Sequence, residues 1–189
     1  MMAARLLMMA LLGLAATGCD GGDKGKTPAP QADAPQAEPA INSIDRRFAG
    51  QPAPEVSLET APGQTTTLAA LLAAHPDKRV LVNLWATWCP PCLAEMPELD
   101  ALAAEEAATL HIIPVSQDME GWQAVDKFFA PGKFKTLKPV LDQPGSLGER
   151  LKAKGLPISV LYDAKGREVW RVAGVPDWTS ANIRAQIKG

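Results

Sequence analysis

Val80-Leu81-Val82-Asn83-Leu84-Trp85-Ala86-Thr87-Trp88-Cys89-Pro90-Pro91-Cys92 decides how the rest of the chain is read. Residues 80–84 are apolar at four of five positions and β-branched at two, which predicts a buried strand. Behind the second cysteine, Leu93, Met96, Leu99, Leu102 and Ala103 recur at helical spacing. Two cysteines three apart therefore stand where a buried strand turns into a helix. A helix N-terminus leaves N–H groups unpaired and carries a partial positive charge, and both favour a thiolate. One helical turn also brings the two sulfurs within bonding reach. This placement favours reversible dithiol–disulfide exchange. Two plainer readings stand beside it: a structural disulfide, and half of a zinc site. Zinc takes four ligands, and the chain has neither a second cysteine pair nor a nearby Cys/His pair, so no metal site is expected.

Trp88-Cys89-Pro90-Pro91-Cys92 after a buried strand, then Glu95 and Pro97, then the distant Gly155-Leu156-Pro157-Ile158-Ser159-Val160-Leu161-Tyr162-Asp163, together resemble the TlpA/ResA-like thiol–disulfide oxidoreductases of the thioredoxin superfamily. Within that family the tail Val172-Ala173-Gly174 with Asp177-Trp178 looks closest to TlpA. The resemblance covers roughly Gln51 to the C-terminus. It implies an α/β, thioredoxin-like fold: a central mixed β-sheet flanked by helices, with an extra N-terminal β-hairpin. It implies a periplasmic, membrane-anchored reductant of protein disulfides, fed by a membrane-embedded thiol reductant. Its clients would be copper-site assembly proteins or apocytochromes c. No cofactor is implied. Pro157 would be a cis proline facing the disulfide, leaving the backbone of Leu156 free to pair with a substrate strand. A trans turn proline without such a role is the plainer alternative.

Cys89, at the helix start, is the candidate nucleophile, and Cys92, inside the first turn, is expected to be buried and to act as the resolving thiol. Pro90 and Pro91 occupy first-turn positions, where proline is tolerated, and they remove two N–H donors that could have solvated the Cys89 thiolate. A less stabilised thiolate means a less stable reduced form and a more reducing couple. Trp88 is expected to offer apolar surface beside the sulfur, and Trp85 to lie in the core. Asn83 departs from the thioredoxin pattern, which has a buried acid in this strand. Glu95, three residues after Cys92 and on the same helix face, is the candidate replacement carboxylate. Its plainer role is a solvated glutamate near the helix N-terminus.

The chain has 189 residues, a formal charge of −2 and 47% hydrophobic residues. Near-neutral charge gives no reason to expect nucleic acid, and a monomer is expected. His75 and His111, the two histidines, read as solvated or satisfied structural residues. Residues 1–18 carry one charge, Arg5, and an apolar run from Leu6 to Ala16, too short to span a bilayer. This is a signal-peptide pattern. Its end, Ala16-Thr17-Gly18-Cys19, resembles a bacterial lipoprotein signal, with Cys19 as the lipidated residue. Cleavage elsewhere would leave Cys19 free, an exposed thiol in an oxidising compartment. Segment 19–40 is then the lipidated Cys19 with residues 20–40, which have no large apolar side chain and read as a disordered tether reaching about 65 Å at roughly 3.1 Å per residue. The thioredoxin-like domain is then 41–189.

Along that domain the patterns predict strands at 53–59 and 64–67 around the Pro62-Gly63 turn, and a short helix from Leu68 that ends before Pro76. The strand at 79–85, the helix at 90–106 and a strand at 110–116 follow. Next come an amphipathic helix at 120–130, a strand at 139–141 and a helix at 146–153. A hairpin at 158–162 and 167–172 and a helix at 179–187 close the chain. Two other functions compete with a disulfide reductase. A Sco-like copper chaperone needs a third soft or imidazole ligand beside the cysteine pair, and none is obvious. A thiol peroxidase carries a Pro-x-x-x-Thr-x-x-Cys signature, which is absent.

Overall fold

The structure is a computed structural model that describes residues 38–143 and 145–189. The signal peptide, Cys19 and all but the last three residues of the tether lie outside the described residues.

Seven strands form one mixed sheet. They are β1 (Ser57–Ala61), β2 (Gln64–Thr67), β3 (Arg79–Trp85), β4 (Leu110–Ser116), β5 (Val140–Leu141), β6 (Ile158–Tyr162) and β7 (Glu168–Ala173), in the order β2-β1-β5-β4-β3-β6-β7. β3 runs parallel to β4 and β4 to β5; β6 and β7 are antiparallel to their neighbours, and β1 pairs antiparallel with both β2 and β5. Five helices connect them: α1 (Leu68–Ala73), α2 (Pro90–Glu105), α3 (Trp122–Phe128), α4 (Ser146–Arg150) and α5 (Ala181–Lys188).

The sheet separates two apolar clusters, one holding α2 and α5 against it, the other α1 and α4. Strand alternation decides which residue serves which. In β3, Leu81 and Trp85 face the α2 cluster, while Val80, Val82 and Leu84 face the other. In β6, Leu161 faces α2, and Ile158, Val160 and Tyr162 face away. By the same period of two, Asn83 and Ser159 point toward α2, and the register pairs them with each other. Both are buried, a polar step in an otherwise apolar face. The α3 aromatics pack as core: Phe128 and Phe129 lie 5.2 and 5.4 Å, centroid to centroid, from Trp85.

Several elements are shorter than their patterns predict. β1 begins at Ser57, because Ala53 bonds to Gly166 in a turn and Pro52 makes only an isolated bridge. α3 starts after Gly121, whose φ of +67° lies outside the helical region, and stops at Phe129. α4 ends at Arg150, with Lys152 in the left-handed region at φ +54°. α5 begins at Ala181, where the Ser180 hydroxyl caps the Ile183 N–H. Residues 42–51, for which the sequence suggests no element, run along β7: Asn42 N–H donates to the Ala173 carbonyl, Asp45 and Arg171 exchange hydrogen bonds, and Glu168 N–H donates to Gln51.

Candidate active site

The site lies where β3 meets α2. Cys89 and Cys92 are joined by a disulfide, with their Cα atoms 5.3 Å apart. Cys89 is the N-cap of α2, Pro90 and Pro91 are its first two helical residues, and no side chain caps this end. The two prolines leave their ring nitrogens without protons, so fewer N–H groups face the Cys89 sulfur than at an ordinary helix start.

Cys92 is fully buried and Cys89 keeps 5% of its surface, whereas Trp88 is 63% exposed. The sequence places Cys89 at an exposed end; in the oxidised state it is almost covered, because the disulfide draws it onto the cluster that includes Trp85, Ala86 and Met96. The resulting asymmetry is narrow but has the expected sign: solvent touches Cys89 and not Cys92. Trp88, the preceding residue, is the large apolar side chain exposed at this turn.

The turn before Cys89 is held by Asp118, a fully buried carboxylate just beyond β4. It accepts hydrogen bonds from the Thr87 N–H at 3.0 Å, the Thr87 hydroxyl at 2.6 Å and the Ser116 hydroxyl at 2.7 Å. The sequence reading passes over Asp118. Its signal is a lone acid following a buried strand that is parallel to β3.

The Leu156–Pro157 peptide bond is cis, the geometry the resemblance implies. Pairing of Leu84 with Ile158 sets Leu156 and Pro157 beside the 85–88 turn, and Leu156, half-buried, packs on the cluster that contains both cysteines. The Pro157 carbonyl accepts from the Gly174 N–H at 2.9 Å. Gly174 has φ +89°, and a Cβ there would overlap the Asn42 side chain, so this close approach requires glycine.

Glu95 is only 1% exposed. Its Oε1 accepts from Asn83 Nδ2 at 2.9 Å and its Oε2 from the Trp178 indole N–H at 2.8 Å. Asn83 Nδ2 also donates to Ser159 Oγ at 3.0 Å. Burial pushes the Glu95 carboxyl up to about 7; the Trp178 and Asn83 donors pull it back, and the nearby Glu98 charge adds to the rise. The solvated-glutamate alternative therefore does not describe this side chain. Asn83, which the sequence marks only as a missing acid, is a hydrogen-bond partner of the acid on the helix. Trp178, seen in the sequence only as part of a family tail, reaches the same carboxylate from the segment before α5.

His75 and His111 stack at the opposite end of β4 from the disulfide, ring centroids 3.7 Å apart. Among the described residues no group of three or more His, Cys, Asp or Glu side chains is placed to hold a metal. The arrangement as a whole can do one thing well: open and re-form a disulfide beside a buried carboxyl group that titrates near neutrality.

Comparison with known proteins agrees. The Redoxin family model matches residues 48–187. The thiol:disulfide interchange protein DsbE of Pseudomonas fluorescens biotype C is 34% identical over 134 residues, spanning 71% of this chain and 71% of that protein. The thioredoxin-like protein YneN of Bacillus subtilis is 32% identical over 118 residues, 62% of this chain and 66% of the relative. Among solved structures, a thio-disulfide isomerase from Thermus thermophilus superposes with a TM-score of 0.58 at 26% identity, covering 72% of this chain and 93% of that one.

Proposed function

Since this chain belongs to the Redoxin family and is a thioredoxin-like thiol:disulfide oxidoreductase, we propose that it works as a protein-disulfide reductase held at the periplasmic face of a bacterial inner membrane. The observation that carries the reading is a disulfide at a helix start whose first two residues are prolines, with a buried carboxyl one turn further on.

In the reduced protein the Cys89 thiolate attacks a client disulfide. A Cys89–client bond forms, and the client's other sulfur leaves as a thiolate. Cys92 then passes its proton to Glu95, and the Cys92 thiolate attacks Cys89 Sγ. The Cys89–Cys92 disulfide forms, the Cys89–client bond breaks, and the second client sulfur leaves and takes up a proton. Two electrons have passed to the client. Burial raises a thiol's pKa, so Cys92 needs a nearby base near neutral pH. Trp88, Leu156 and Pro157 are the surface on which the client segment lies, Leu156 offering its backbone to an extended strand.

The direction follows from the prolines: a Cys89 thiolate short of N–H partners makes the reduced state a good electron donor. Cys19 is the lipid anchor and residues 20–40 the tether in this reading, supported by the lipoprotein-like sequence pattern. Copper-site assembly proteins or apocytochromes c would be the clients and a membrane-embedded thiol reductant the electron source, as in the TlpA-like proteins the tail resembles.

Equilibration with a glutathione redox buffer tests the direction. The couple should be more reducing than glutaredoxin-type couples near about −200 to −230 mV; a value close to the oxidant range near about −120 mV would overturn the reductase reading. Proteins captured on Cys92→Ser in the native host then name the clients.

A further inference from the structure

Glu95 is gripped by parts of the chain that lie far apart in sequence. Asn83 comes from β3, Ser159 from β6 and Trp178 from the segment between β7 and α5. All three are fully buried. Each Glu95 oxygen takes one hydrogen bond from a neutral donor: Asn83 Nδ2 on Oε1, Trp178 Nε1 on Oε2. An indole N–H is a donor only, so Trp178 pairs with a lone pair and never with an O–H. Ser159 Oγ takes the second Asn83 proton. Asn83 Oδ1 is buried with no partner among the described residues. A group this deep is ordinarily satisfied, and this orphan belongs to the same amide that touches Glu95.

We propose that Asn83 and Trp178 are positioning residues for the exchange reaction: a pair of neutral donors, one per oxygen, that hold the Glu95 carboxylate as an acceptor for the Cys92 proton. The inference rests on the proton-carrier role given to Glu95 above. Without donors, burial alone would leave Glu95 protonated at neutral pH and unable to take a second proton. With two, each oxygen of the carboxylate is satisfied in place. When Cys92 loses its proton, Glu95 becomes a carboxylic acid and needs an acceptor for its O–H. The unpartnered Asn83 Oδ1 is the acceptor that the same amide can offer by turning over. The proton leaves again with the departing client sulfur.

The groups that face Glu95 are few. β3 presents Asn83, the segment before α5 presents Trp178, and α2 brings the Glu98 charge, with Ser159 of β6 behind Asn83; Cys92 stands three residues before Glu95 on α2. Asp177, next to Trp178, is exposed and bonds to Thr179. Glu98 is therefore the charged neighbour, and reduction adds the Cys92 thiol one helical turn away.

The test uses the full chain with carbon-13 in its glutamate side chains. The Glu95 carboxyl is titrated by NMR in the oxidised wild type, Asn83→Ser and Trp178→Phe. Closure of the Cys89 mixed disulfide with glutathione is timed against pH in the same proteins. Each substitution should raise the carboxyl midpoint by about one pH unit, the scale of one hydrogen bond to a charged group. Closure at pH 7 should slow by about three- to tenfold and recover above pH 8. In a Glu95→Gln background the same substitutions should leave the pH profile where it is. Unmoved midpoints overturn the proposal, as does an equal shift in the Glu95→Gln background, which marks a merely structural role. If Trp178→Phe does not fold, Asn83→Ser decides alone. If Glu95→Gln itself closes like the wild type, the proton-carrier reading falls, and the proposal falls with it. If Glu95→Gln slows closure while both other variants overlay the wild type, only the positioning pair falls.

Discussion

Two titratable side chains sit near opposite ends of the central parallel strands, and burial acts on both. Near the disulfide, burial pushes the Glu95 carboxyl up while two donors pull it back, so it comes to rest at about 7. At the far end, burial pushes His111 down to about 4, and the neighbouring His75 and Lys78 charges push the same way. One group is held at the edge of ionisation and the other is kept neutral. Burial alone does not make a working acid or base. The outcome depends on whether the partners oppose the desolvation or add to it.

The sharpest way to separate the two ends is through the cysteines. Cys89→Ser should be inert in exchange, and Cys92→Ser should stop at the mixed disulfide and accumulate it; His75 and His111 variants should turn over like the wild type. Alkylation of the two single cysteine mutants at pH 7 checks the order, and equal rates would overturn the assignment.

Next in size, Glu95→Gln should slow closure near pH 7 by roughly a hundredfold, the lower end of the range for a positioned base. Closure should partly recover in alkali, where the thiolate forms without help. The same variant tests stability. The native Glu95 carboxyl holds its proton up to about pH 7, against 4.5 in the unfolded chain. Its contribution is therefore fully present below about pH 4.5 and is lost as pH rises through about 7. Urea titrations at a series of pH values should show this fall in the wild type and a flatter profile in Glu95→Gln.

Asp118→Ala should lower stability by about 1–3 kcal/mol, because it leaves the half-buried Thr87 N–H without an acceptor. It should also loosen the turn that carries Trp88 and Cys89, seen as faster hydrogen exchange at Thr87.

The smallest effect belongs to the far end. A folded His111 that titrates near 4, against 6.5 unfolded, contributes stability above about pH 6.5 that is lost as pH falls through about 4. His111→Gln should remove that acid slope, read from the pH dependence of urea midpoints, and leave closure kinetics unchanged. A change in closure rate would mean that the two ends are coupled.

The sheet and its order of helices are legible in the sequence, because hydrophobic period and Gly/Pro punctuation are local signals. The cysteine pair and Glu95 are legible because they fall within one helix, where spacing gives geometry. Trp178 and Asp118 are not: their partners lie 83 and 31 positions away, and only the register of the sheet brings them to the site. Asn83 is visible as an anomaly, a polar residue in an apolar strand, but its amide acquires meaning only when Glu95 and Ser159 are placed against it. The ends of α3 and α4 overrun in the sequence reading because apolar spacing continues past residues whose backbone has already left the helix.

The segment at 42–51 has a consequence for life among unfolded chains. By lying along β7 it occupies hydrogen-bonding groups that would otherwise offer a template to any extended peptide. The opposite border is β2, four residues reading Gln-Thr-Thr-Thr, too short and polar to nucleate a stack. Both borders of the sheet thus discourage pairing with extended chains.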